Sequence, residues 1–98
     1  HVPNVSGTWK NVDGSSTYTL AQNAKKITLR EERTTQQGKL TTAVGEGYIE
    51  DNQLQISFTT IFETTGSGIL NIVDEKTLKG SLTNSTNGTK EDVVLNRN

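Results

Sequence analysis

The chain has 98 residues, no Cys, no Met, and a formal net charge of −1 from ten basic and eleven acidic side chains. That length fits one domain, residues 1–98, and leaves no room for a second. Without Cys there is neither a disulfide framework nor a thiolate metal site, the interleaved charges offer no basic stripe to nucleic acid, and no apolar run approaches the roughly 20 residues of a membrane-spanning helix.

Apolar residues make up 30 % of the chain and aromatics 5 %. With Thr abundant, that composition favours a thin all-β core over helix packing. Period-two alternation, punctuated by turn residues, predicts eight strands. The first, Gly7–Val12, carries Trp9. Asp13-Gly14 turns it into Ser16–Gln22, where Tyr18 and Leu20 face the core. In Lys26–Thr34, Ile27 and Leu29 point inward, while Glu31 and Glu32 beside Arg30 and Arg33 read as a solvated strand face. Lys39–Ile49 is interrupted by Gly45-Glu46-Gly47, which reads as a bulge or bend, so that either Tyr48 or Ile49 turns inward after it. Gln53–Glu63 places Leu54, Ile56, Phe58, Thr60 and Phe62 on one inward face. Ser67–Val73 continues with Leu70 and Ile72, Thr77–Asn84 with Leu78, Gly80 and Leu82, and Lys90–Asn96 completes the set.

The remaining connections are Asn23-Ala24-Lys25, Gln36-Gln37-Gly38, Asp51-Asn52, Thr65-Gly66, Asp74-Glu75-Lys76 and Ser85 to Thr89, with Asn87-Gly88 a specific turn signal. All are short. A Greek-key sandwich needs a long return connection. Eight strands joined only by hairpins instead close into an all-β, eight-stranded, antiparallel up-and-down barrel, which removes exposed sheet edges.

Catalytic groups are scarce. His1 is the one His, at the chain end, so neither a Ser-His-Asp arrangement nor a His-based metal site is expected. No cofactor is expected, since the glycines form no phosphate-binding pattern. Glu46, between two glycines, would be a ligand anchor or general base if the bend aimed it inward, and is otherwise an exposed turn residue. Glu63 and Glu91 read as surface charges. The triplets beginning at Asn4, Asn84 and Asn87 fit the glycosylation pattern, as chance allows in a chain so rich in Asn, Ser and Thr. Trp9 lies in the first strand and Arg97 at the end of the last, and those strands are neighbours in a closed barrel. A guanidinium over the indole would cap one end.

Gly7-Thr8-Trp9 with a basic residue at the chain end resembles the signature of the calycins, the superfamily of lipocalins, fatty-acid-binding proteins and avidins. It also resembles many uncharacterised bacterial lipocalin-like domains. The resemblance implies an up-and-down barrel that holds a small ligand. The first hairpin is similar to that of the avidin family, through Gly7-Thr8-Trp9, Asn11 and Gly14-Ser15. That similarity implies biotin-contacting positions at Asn11 and Ser15. The match departs at Asp13, where avidins carry an apolar residue, and in the absence of any Trp besides Trp9. The similarity is therefore architectural, and biotin binding is not expected.

These readings favour a binder of a small hydrophobic or amphipathic ligand in the barrel mouth, not an enzyme. Tyr18, Tyr48, Leu54, Phe58 and Phe62 would line the site, and Thr42, Thr60 or Glu46 would supply polar contacts. The alternative is a filled barrel that meets a protein partner, acts as an inhibitor or forms a homodimer through an outer apolar patch around Ile61 and Ile69. A chain without Met has had its natural start processed or replaced, so a secreted or periplasmic location stays open.

Overall fold

The computed structural model describes residues 4–12 and 14–97. They form eight strands: β1 (Gly7–Asn11), β2 (Ser16–Asn23), β3 (Lys26–Thr35), β4 (Gly38–Glu50), β5 (Gln53–Thr60), β6 (Thr65–Asp74), β7 (Thr77–Asn84) and β8 (Lys90–Arg97). Each pairs antiparallel with the next, and β8 pairs back to β1, so the sheet closes into an up-and-down barrel.

The two ends of the barrel differ. At one end, two-residue turns join β2 to β3, β4 to β5 and β6 to β7. Ala24 and Asp51 in these turns take left-handed φ values of 56° and 57°. The segment before β1 seals this end, with Val5 buried against a cluster that includes Trp9, Leu20, Ile27, Ile49, Leu54, Leu70, Leu78 and Leu95. The indole N–H of Trp9 donates to the carbonyl of Val5 at 2.9 Å. Above the indole, the Arg97 guanidinium lies 4.4 Å from the ring centroid. Its three nitrogens donate to the carbonyls of Ser6, Asn4 and Glu75, the last two at 2.9 Å. Gly7 makes room for this: its φ is 131°, and a Cβ there would stand 2.9 Å from Arg97 Nη1.

Several expected boundaries shift. The fifth strand stops at Thr60 instead of Glu63. Residues 61–64 form the turn, with Glu63 at φ 61° and the Thr60 and Thr64 hydroxyls 2.6 Å apart. Thr65 and Gly66, read as a turn, begin β6. The expected bulge at Gly45-Glu46-Gly47 is absent, since pairing with β5 runs without interruption from Ala43 to Glu50. The irregularity lies at Thr42, which is the extra residue between the pairs Glu31–Ala43 and Glu32–Thr41. Asp13 of the expected Asp13-Gly14 turn lies outside the described residues, as does His1; Gly14 has φ 74°.

Glycines decide how sharply the strands curl. Phe58 is flanked across its two neighbouring strands by Gly45 and Gly66, and Ile56 by Gly47 and Gly68. At Gly66 a Cβ would meet the Phe58 ring at 2.4 Å, so this aromatic covers the space the glycine leaves. Large inward side chains and glycines therefore alternate around the waist of the barrel.

Candidate functional site

Beyond the sealed core the lumen is not filled. A cavity of about 310 Å³ occupies the half that opens toward the loops 61–64 and 85–89. Its walls are largely apolar, from Leu29, Ile56, Phe58, Leu70, Leu82 and Val93. The volume is at the lower end of small-molecule pockets, room for on the order of ten waters. Ala43 lines the space with a short side chain where the closed end has Leu and Ile, while Phe58 and Leu82 cover the places of Gly66 and Gly68.

One polar cluster reaches into this cavity. Tyr18 on β2 is paired across the sheet with Glu31 on β3, so both side chains fall on the lumen face. The Tyr18 hydroxyl donates to Glu31 Oε2 at 2.5 Å, and the Thr42 hydroxyl donates to Glu31 Oε1 at 2.6 Å. Thr42 reaches the lumen only through the bulge, since alternation counted back from Ile49 would point it outward. Burial pushes the Tyr18 phenol well above its ordinary value near 10, and the hydrogen bond to Glu31 and that carboxylate's charge add to the effect.

The sign of the pH dependence follows. Above pH ~10 the unfolded chain loses the Tyr18 proton while the folded chain keeps it. The stabilisation is complete below pH ~10 and is lost as pH rises toward the higher folded value. Chemical denaturation across pH 9 to 12 should therefore show a decline attributable to this phenol. A Tyr18→Phe protein with the same alkaline decline as wild type would contradict the assignment.

The other expected site residues separate into two groups. Tyr18, Thr42, Phe58, Thr60 and Phe62 border the cavity. Phe62 does so from the 61–64 turn and is 75 % exposed, not inward on a strand, because β5 has already ended. Glu46 and Tyr48 do not reach the cavity, contrary to expectation. Both lie on the outer face of β4, Tyr48 47 % exposed with its hydroxyl 2.8 Å from Gln55 Oε1, while Ile49 takes the inward place. The uninterrupted β4–β5 register leaves Glu46 no route into the lumen. Leu54 is fully buried in the closed-end core, away from the cavity.

Asn11 and Ser15 hydrogen-bond to each other at 3.1 Å beside the first turn and do not line the cavity. Ile61 and Ile69 form no common patch, since Ile61 sits in the mouth turn and Ile69 on the outer face of β6, between Gln55 and Ser81. Glu31 was missed as a site residue because its charged neighbours suggested a solvated face. The signal was available: Ile27, Leu29 and Glu31 share one parity on β3. Glu91 shares parity with Val93 and Leu95 and also borders the cavity, exposed at its rim. Among the described residues no group of His, Asp and Glu is placed to hold a metal ion.

No protein-family description and no curated protein sequence matches the chain. Solved structures do. A redesigned β-barrel, b11L5F_LGL, superimposes with a TM-score of 0.75 at 17 % identity, over 96 % of this chain and 91 % of its own. The redesigned β-barrels mFAP1 and mFAP0, both bound to DFHBI, give TM-scores of 0.67 and 0.65 at 19 % identity. Each match covers 95 % of this chain, with 94 % of mFAP1 and 98 % of mFAP0. At these identities the likeness concerns the eight-stranded antiparallel barrel.

Proposed function

We propose that this barrel binds a small, largely apolar molecule in its open half, without turning it over. The observation that carries the reading is the division of the lumen: one end is packed and sealed, and the other holds an apolar cavity with a few convergent polar groups. The similar redesigned barrels bound to DFHBI support it, since an eight-stranded barrel can hold one small ligand. The Trp9–Arg97 closure supports a further placement beside the lipocalin-like calycins. The outer-surface alternative has less support, because Ile61 and Ile69 lie apart.

Native mass spectrometry of the purified protein tests the reading. The expected result is an extra mass that is lost on activation, or uptake of small apolar compounds at one per chain. Leu82→Phe, which adds bulk at the cavity wall, should weaken that uptake severalfold, with circular dichroism checking that the variant keeps the wild-type fold. A protein that stays bare against a broad panel of such compounds would overturn the proposal, and a bare dimer would redirect attention to its outer face.

A further inference from the structure

We infer that the cavity selects compact organic cations, a protonated amine on an apolar body, over neutral or anionic molecules of the same shape. The inference rests on the binding reading above and specifies its ligand class. Glu31 is the charged group set deepest in the cavity wall, with its side chain only 14 % exposed. Both of its oxygens already accept a hydrogen bond, each from a neutral hydroxyl. Those bonds orient the carboxylate but leave its charge unbalanced. The nearest cation, Arg33, is 59 % exposed with its Nε 4.0 Å from Oε1, a loose and solvated pairing.

Around the rest of the cavity the balance stays negative. Glu91 borders it from β8, so among the described residues two carboxylates face one guanidinium. Each carboxylate oxygen of Glu31 keeps a further lone pair. An ammonium entering from the mouth can therefore add a charge-assisted bond without displacing Tyr18 or Thr42. The Phe58 and Phe62 rings border the same space and offer faces that attract a cation. An anion would meet Glu31 in a largely apolar space, with Arg33 the one cation among the described residues that line it.

The test uses three molecules of one shape: 2-phenylethylamine, 2-phenylethanol and phenylacetate. Each is titrated at neutral pH into wild type and Glu31→Gln, with calorimetry or protein-observed NMR as readout. In wild type the amine should bind about tenfold or more tighter than the alcohol, with phenylacetate weakest. In Glu31→Gln, which keeps the shape and an acceptor for one hydroxyl, the amine should lose its advantage while the alcohol binds as before. Equal binding of amine and alcohol in wild type, or tightest binding of phenylacetate, would overturn the cation inference and leave the cavity reading standing. If none of the three binds, the cation inference falls, and the broad panel above decides the binding reading. Should Glu31→Gln fail to fold, the amine-to-alcohol ratio in wild type decides the question alone.

Discussion

Trp9→Ala is expected to destabilise the barrel by about 3–5 kcal/mol. Trp9 is fully buried and belongs to the core that seals one end. Truncation would remove the largest side chain of that core and leave a cavity in the sealed end, beside the seam where β1 pairs with β8. It would also strip the Val5 carbonyl of its indole donor and remove the ring beneath Arg97. A domain of this size has on the order of 5–15 kcal/mol of stability in total, so the loss is a large fraction of the whole. Urea denaturation followed by far-ultraviolet circular dichroism measures it. Arg97→Ala should cost less, about 1–2 kcal/mol, because two of the three carbonyls it leaves are near solvent. A Trp9→Ala protein with the wild-type midpoint would show that the closure does not depend on the indole.

Gly80→Ala should be comparably damaging for the opposite reason, too much matter instead of too little. A Cβ at Gly80 would stand 1.9 Å from the carbonyl oxygen of Ile69 and 2.8 Å from the Cα of Leu70. Both atoms are backbone of β6, held by pairing to β5 on one side and β7 on the other. No rotamer change relieves the overlap, so the β6–β7 ladder must part. Overpacking of this kind costs about 3 kcal/mol or more. Ser81→Ala is the control: Ser81 is adjacent in sequence, its alternate parity places it on the outer face, and its substitution should be nearly neutral. Thermal unfolding of the two variants side by side makes the comparison. Equal Tm values for Gly80→Ala and wild type would mean that the strands do not approach as closely at this point.

Much of the architecture was legible along the chain. Alternation of apolar and polar residues, with Asp, Asn and Gly between, marks all eight strands to within a few residues of their ends. Short connections throughout leave a meander as the topology, and a meander of eight strands has a reason to close. The ends went astray where the turn chemistry was less specific. Thr60 to Thr64 reads as continued β-branched strand, yet the Thr60 and Thr64 hydroxyls bond across a turn there. Strand propensity was outweighed by that local hydrogen bonding.

The site was less legible. Glu31 sits at the same parity as Ile27 and Leu29, but four consecutive charged residues obscured the alternation. Glu46 and Tyr48 were drawn inward by a bulge expected at the wrong glycines. The actual bulge, at Thr42, brings a hydroxyl to Glu31 that strict alternation would have turned outward.

By itself, the sequence determined the number of strands, their order, the closure of β1 on β8 and the burial of Trp9, because each follows from local periodicity and short links. Only the tertiary structure decided which half of the lumen is hollow and which charge stands in it. Those features depend on register across strands, which puts Phe58 between Gly45 and Gly66 and Tyr18 opposite Glu31. A period of two shows which face of its own strand a residue occupies. It does not show what stands beside that residue on the neighbouring strand, and the neighbour determines whether the space is filled.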